Sequence, residues 1–281
     1  MLIVYHSADY DGIFCREIAK HFLGPAHTYV GWNFGNGPIT QLQSDIIVLD
    51  LPPDEPFGLN RTIPNCNSFT WIDHHATSIE KFKSFLIPGN RIDGVAACRL
   101  AWQWFCGQKQ PTKEDYVARL VDEPYAVRLV GEYDIWDKRD PNVDIFQCGL
   151  QVVDFDLYLL FVNENLVRNT IINGVVIQKY QDKLNANIVK HRSFIHTFEG
   201  IRFLTLNTAR CNSLTFKSLD ETNESKHDAL MGFYFNGKVW VVSMYHSMCH
   251  TQLDLSKIAV KYGGGGHKYA CGFQCTKLPF V

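Results

Sequence analysis

The triplet Asp73-His74-His75, in the stretch WIDHHATS, sets one aspartate and two imidazoles side by side directly after an apolar run. Adjacent histidines at such a place are hard to bury without partners, because a polar group removed from water needs a hydrogen bond or a charge. Two clusters of the same kind precede it. Residues 2–5 (LIVY) run into His6-Ser7-Ala8-Asp9-Tyr10-Asp11-Gly12, and residues 46–51 (IIVLDL) carry Asp50 near their end, before Pro52-Pro53. Converging carboxylates raise one another's pKa unless cations neutralise them. Oxygen donors with some imidazole and no thiolate favour Mn²⁺ or Mg²⁺ over a structural Zn²⁺ site. Two such ions about 3.5–4 Å apart would activate water and steady both oxygens of an in-line displacement at phosphorus. A lone His-x-x-Asp-x-Asp or a lone Asp50 is weak, since Asp also caps helices. The ordered set is the signal.

The elements that must position these groups follow from periodicity. Continuous apolar runs at 2–5, 46–51 and 69–72 suit strands of a parallel sheet covered on both faces. In open α/β sheets the ligand crevice lies beyond the carboxyl ends of the strands, so the three clusters are expected at one edge. Residues 13–22 place Ile13, Phe14, Ile18, Ala19 and Phe22 on one helical face, and 95–106 form a second helix in which Cys98, Trp102 and Cys106 are packing residues. A helical region divided at Pro124 leads into Glu132-Tyr133-Asp134. Residues 174–196, with Ile177, Tyr180, Leu184 and Ile188 at helical spacing, read as a long connector. Beyond it, 201–206, 230–235 and 238–244 read as strands, with Asn236-Gly237 as a hairpin turn. Residues 254–262 read as a helix capped by Asp254 or Ser256 that ends at a glycine run.

That run continues as Ile258-Ala259-Val260-Lys261-Tyr262-Gly263-Gly264-Gly265-Gly266-His267-Lys268-Tyr269-Ala270-Cys271-Gly272-Phe273. Glycines let backbone N–H groups approach a phosphate, and the adjoining His267 and Lys268 add donors or charge. A flexible linker is the other use of four glycines, but a linker need not be followed by His-Lys and a closing strand. Asp-His-His followed downstream by this Gly-Gly-Gly-Gly-His element resembles the DHH phosphoesterase superfamily, in the branch whose second domain is called DHHA1. That branch holds RecJ-like exonucleases and small phosphodiesterases acting on very short oligonucleotides.

The resemblance implies an α/β fold: an N-terminal parallel-sheet DHH domain over 1–172, a connector helix over 173–196 and a smaller α+β DHHA1 domain over 197–281, with the active site in the interdomain cleft. It implies that Asp9, Asp11, Asp50 and His74 are metal ligands, with Asp50 bridging two Mn²⁺ ions (Mg²⁺ being the alternative), and that His6 is a further ligand. His75 would face the scissile phosphate, and Asp73 would orient a neighbouring imidazole. A further metal aspartate is expected after the helical region; Asp134 is the choice, with Asp137 and Asp140 as alternatives. Gly264, Gly265, Gly266, His267 and Lys268 would grip the substrate phosphate. Two departures stand out. His6 precedes Asp9 by three residues where many members have four, and the strand that often carries a phosphate-gripping arginine reads Val242-Ser243-Met244-Tyr245-His246-Ser247. His246, Arg210 or Lys217 would then supply that contact, and Tyr245 offers a ring for stacking on a base.

Composition fits this reading. The chain has 281 residues, 46% of them hydrophobic, enough for a sizeable core and two domains. A formal net charge of −2 argues against a charge-driven grip on long duplex nucleic acid. No apolar stretch approaches the roughly 18 residues of a membrane helix, and the start resembles a strand more than a signal peptide. Nine cysteines without a CxxC pair suggest reduced thiols and a cytoplasmic setting. The expected partners are a short oligonucleotide or a dinucleotide, with a homodimer left open. The expected activity is release of nucleoside monophosphates from very short oligonucleotides, working from either end. The alternatives are a phosphodiesterase for pAp or for linear or cyclic dinucleotides, and a noncatalytic nucleotide- or nucleic-acid-binding module.

Overall fold

A computed structural model describes residues 1–58, 65–107, 111–209, 211–218, 226–247 and 252–280, with only the backbone of His267. The chain divides into two compact units, Met1–Ile177 and Gln178–Val281.

The first unit is built on a four-stranded sheet: β1 (Leu2–His6), β2 (Thr28–Trp32), β3 (Asp45–Leu49) and β4 (Ser68–Ile72). The order is β2-β1-β3-β4 and every pairing is parallel. The continuous apolar runs reflect burial of both faces. Leu2 and Val4 with Ile46 and Val48 pack into one cluster that includes Trp71 and Phe82. Their neighbours Ile3, Tyr5, Ile47 and Leu49 enter the other cluster with Phe14, Ile18 and Ile72. This alternation is the two-residue period of a strand, with apolar material on both sides. The sequence reading did not anticipate β2, and it carried the second run to residue 51, whereas β3 stops at Leu49 and Asp50 lies just beyond it.

Helices α1 (Tyr10–Leu23), α2 (Ala76–Lys81), α3 (Ala97–Phe105), α4 (Lys113–Val117), α5 (Tyr125–Asp134), α6 (Val143–Leu150) and α7 (Leu159–Val162) complete this unit. Close approach of α1 to the end of β1 depends on Gly12, where a Cβ would lie 2.0 Å from the His6 carbonyl oxygen. Helix α8 (Glu164–Arg192) runs 29 residues, starting ten residues before the expected position and spanning the division between the units. Its start has a local cause: Asn163 Oδ1 accepts from the N–H groups of Asn165 and Leu166 at 3.1 and 3.4 Å. No described helix is long and apolar enough to cross a membrane.

The second unit holds a six-stranded sheet of order β5-β6-β7-β8-β10-β9. Its strands are β5 (Phe194–Phe198), β6 (Ile201–Asn207), β7 (Ala229–Phe235), β8 (Trp240–His246), β9 (Gly265–His267) and β10 (Ala270–Cys275), with helix α9 (Ser256–Lys261) between β8 and β9. Only β6 and β7 pair in parallel. The expected hairpin forms with a shifted centre: the Asn236 N–H donates to the Val239 carbonyl at 3.0 Å, so Gly237 and Lys238 are the central pair, with Gly237 at φ 95°. The expected cap of α9 does not form. Its N-cap is Leu255, and the Ser256 hydroxyl donates instead to Asp254 at 2.5 Å.

Candidate metal centre

The carboxyl ends of β1, β3 and β4 and the last residue of α5 bring Asp11, Asp50, His74 and Asp134 together. His74 Nε2 lies 3.4 Å from Asp50 Oδ1, 3.4 Å from Asp134 Oδ2 and 3.9 Å from Asp11 Oδ2. Two overlapping donor groups result, Asp11-His74-Asp134 and Asp50-His74-His75, each with one ligand atom per residue within 4.8 Å of the others. The alternatives to Asp134 are engaged elsewhere. Both oxygens of Asp137 accept from Arg139 Nε at 2.8 Å, and Asp140 accepts from the Tyr125 hydroxyl and the Asn142 N–H.

Each acid is held by the elements around it. Asp11 is 2% exposed, and its two oxygens accept from the N–H groups of Ala97 and Cys98, each at 2.8 Å. Helix α3 has no side-chain cap of its own, so Asp11 supplies an anion to its N-terminus across 86 residues of sequence. Asp50 has φ 58°, a left-handed conformation that aspartate tolerates better than most residues, and its N–H donates to the Ile72 carbonyl at 2.9 Å. Its Oδ1 is buried and meets no hydrogen-bond donor among the described residues. Asp73 is fully buried and accepts from the His74 and His75 N–H groups and from His75 Nδ1, the last at 2.6 Å. Asp73 thus orients the His75 ring, and that hydrogen bond raises the imidazole's pKa. Asp9 caps α1 by accepting from the Gly12 N–H at 3.0 Å, and its second oxygen lies 3.4 Å from His6 Nε2. His6 and Asp9 pair beside the two donor groups and do not join either.

The electrostatics express the same crowding. Burial, then Asp11 and Asp9, pushes the Asp50 carboxyl well above the ordinary range. Burial, then Asp11, brings Asp134 to about 7. Burial outweighs the Gly12 hydrogen bond and raises Asp9 as well. Such a set of acceptors fits one or more divalent cations, which would restore the ionised forms and satisfy Asp50 Oδ1. Burial holds the nearby thiols of Cys15 and Cys98 protonated, which suits an oxygen and imidazole donor set.

Two supporting features were not read from the sequence. One is the pair of α3 N–H groups on Asp11. The other is Glu132, fully buried, which accepts from Arg119 Nε and Nη2 at 2.9 Å and from the Asp140 N–H at 3.0 Å, fixing the loop after Asp134. Glu132 stands two residues before Asp134, and a buried acid beside a site acid is the signal that would have found it.

In the second unit the glycine run is folded. Gly265 and Gly266 lie in β9, paired with β10, and Gly266 has φ 126°. A Cβ at Gly264 would come within 2.1 Å of the Gly272 carbonyl oxygen, whereas one at Gly265 would meet nothing within 4 Å. The run therefore packs tightly on one strand and leaves backbone open at Gly265. Lys268 Nζ sits 5.2 Å from the centre of the Tyr269 ring. His246 Nε2 donates to the Leu253 carbonyl at 2.6 Å, and the Tyr245 hydroxyl donates to the Cys211 carbonyl at 2.9 Å. Both side chains are thus engaged within the unit, with Tyr245 packed against the Val189, Leu204 and Phe216 cluster. Lys217 lies 4.0 Å from Asp182. Arg210 and the His267 side chain lie outside the described residues.

No family model matches the sequence. An uncharacterized protein of Acanthamoeba polyphaga mimivirus is 28% identical over 228 residues, 75% of this chain and 49% of the relative. The chain therefore spans about half the length of that relative. Among solved structures, an exopolyphosphatase-related protein from Bacteroides fragilis aligns over 99% of this chain and 87% of its own, with 11% identity and a TM-score of 0.53. A pGpG-specific phosphodiesterase from Vibrio cholerae covers 98% of this chain and 92% of its own (15% identity, TM-score 0.46). The exonuclease RecJ bound to manganese covers 98% and 85% (11% identity, TM-score 0.48). The chain shares the fold of the exopolyphosphatase-related protein, and Asp73-His74-His75 stands at the carboxyl edge of its first sheet.

Proposed function

We propose that this protein is a divalent-metal-dependent phosphodiesterase that hydrolyses very short oligonucleotides to nucleoside monophosphates, with Mn²⁺ as its metal. The observation that carries this reading is the convergence of Asp11, Asp50, His74 and Asp134, with a buried Asp50 oxygen that meets no donor among the described residues. Bound divalent cations supply an activated water and charge neutralisation at phosphorus. Asp50, His74, Asp11 and Asp134 would hold the ions, with Asp50 as the assigned shared ligand. His75, held by Asp73, presents its remaining ring nitrogen to the phosphate and carries a proton there more readily than an ordinary histidine. His6 and Asp9, paired beside these groups at the end of β1, are assigned as further ligands. The glycine run, with His267 and Lys268, offers backbone N–H groups and positive charge to a terminal phosphate, which suits a short substrate better than a long polymer.

The test is hydrolysis of a matched panel with Mn²⁺, Mg²⁺ or EDTA: pAp, pApA, a cyclic dinucleotide, a short RNA, a long single-stranded DNA and pyrophosphate. Metal-dependent release of monophosphates from the shortest RNAs is the expected result. Activity confined to pAp or to dinucleotides would move the substrate to small signalling nucleotides. A folded, metal-binding protein that turns over nothing in the panel would overturn the enzyme reading.

A further inference from the structure

The first unit contains a cavity of about 600 Å³ that shares no residue with the metal centre. It lies among the first turns of α5, helix α7 and the first turns of α8. Tyr125, which lines it, and Asp134 stand at opposite ends of the ten-residue helix α5, roughly 13 Å apart along its axis. The volume is in the range of small-molecule sites, and the apolar wall comes from Leu160, Phe161 and Val167.

Two guanidinium groups face this wall. Arg128 stacks over the Tyr125 ring at 4.9 Å, and its Nε is buried without an acceptor among the described residues. Arg128 Nη2 lies 3.9 Å from Asp140 Oδ2, beyond hydrogen-bond reach. Arg168, exposed on α8, makes no ion pair among the described residues. The acids nearby are largely engaged. Glu123 gives its carboxylate to Arg99, and Asp140 accepts from Tyr125 and Asn142. Glu164, in the first turn of α8, is the remaining rim acid and is exposed. Arg128 and Arg168 both line the cavity, and an anion held there would receive charge-assisted hydrogen bonds from their guanidinium groups.

We propose that this cavity, between Arg128 and Arg168 and against Phe161, is a second ligand site that takes an organic anion with a flat apolar body. Phosphate and carboxylate head groups share the required chemistry. The geometry asks for a charged group at the arginines and a ring against Leu160, Phe161 and Val167. The proposal does not depend on the function assigned to the metal centre.

The experiment is calorimetric titration of the full chain in EDTA with three probes: adenosine 5′-monophosphate, benzoate and inorganic phosphate. Saturable binding of adenosine monophosphate or benzoate, tighter than that of inorganic phosphate, is expected, and which of the two binds identifies the head group. Arg168→Glu, a change on an exposed side chain, and Arg128→Gln should each weaken that binding about tenfold or more, while Asp50→Asn should leave it unchanged. Absence of saturable binding by either ring-bearing probe would overturn the proposal. So would equal affinity for inorganic phosphate, because the apolar wall would then contribute nothing. Binding that survives both arginine substitutions would place the ligand elsewhere and overturn it as well.

Discussion

The carboxyl edge of the first sheet and the glycine run of the second unit present opposite chemistries. At the sheet edge, three aspartates are at most 3% exposed and two of their oxygens, Asp50 Oδ1 and Asp73 Oδ2, meet no donor among the described residues. At the glycine run there is no acid between Gly263 and Gly272, and the backbone is bound into a ladder with open space beside Gly265. The first region is a set of acceptors that needs cations; the second is a set of donors suited to an anion. Chemistry and substrate grip should therefore respond separately to substitution.

The largest effect is expected at Asp50. Asp50→Ala should lower kcat on the order of 10³-fold or more, by removing the acid assigned to bridge the metals. Steady-state hydrolysis of the best panel substrate measures it, and retention of most activity would contradict the two-ion assignment. Next in size is the response to pH without metal. Asp134 rises from 3.8 to about 7 on folding, and Asp50 and Asp9 also rise. The metal-free folded chain thus binds more protons than the unfolded chain, so its stability should fall as pH increases through that window. EDTA-treated protein is expected to melt several degrees lower, roughly 5 °C, near neutral pH than near pH 5. Added Mn²⁺ should restore more stability at the higher pH, because metal binding releases those protons.

The sequence made some of this visible and hid the rest for physical reasons. Strands β1 and β3 are legible because central parallel strands are buried on both faces and read as continuous apolar runs, and the edge strand β4 is legible from its apolar run that ends in the buried Trp71 and Ile72. Strand β2, at the other edge, reads TYVGW with one buried residue, Trp32, and carries neither a continuous run nor a clean alternation. Asp73-His74-His75 and Asp50 are legible as acids and imidazoles placed where strands end. The hold on Asp11 is not, because it comes from backbone N–H groups of Ala97 and Cys98, which no side-chain pattern announces. Asp134 stands apart from its neighbours for a similar reason: Asp137 and Asp140 look equivalent in sequence, and only Arg139, Tyr125 and Asn142 remove them from consideration.

A smaller effect is expected at Asp73, which touches no substrate position and acts through His75. Asp73→Asn should reduce activity about 10–100-fold, as loss of a partner that orients a site histidine commonly does. The pH profile distinguishes this from a folding defect. Asp73 holds the His75 pKa up, so in the Asn variant the limb governed by His75 protonation should move to lower pH. A uniform loss at every pH, with the limb unmoved, would mean that Asp73 serves only to support the loop.

The smallest effect is expected in the second unit, and it is the one that separates the two regions. His267→Ala should raise KM for a two-nucleotide substrate about tenfold, the scale of one charge-assisted hydrogen bond, with little change in kcat. Hydrolysis of a generic phosphodiester that lacks a terminal phosphate should stay close to the unsubstituted rate. A donor that grips a remote phosphate contributes to binding of substrate and transition state alike, so its loss appears in KM. If kcat fell for both substrates together, His267 would belong to the chemical step. The division between an acceptor edge that needs cations and a donor loop that holds an anion would then have to be redrawn.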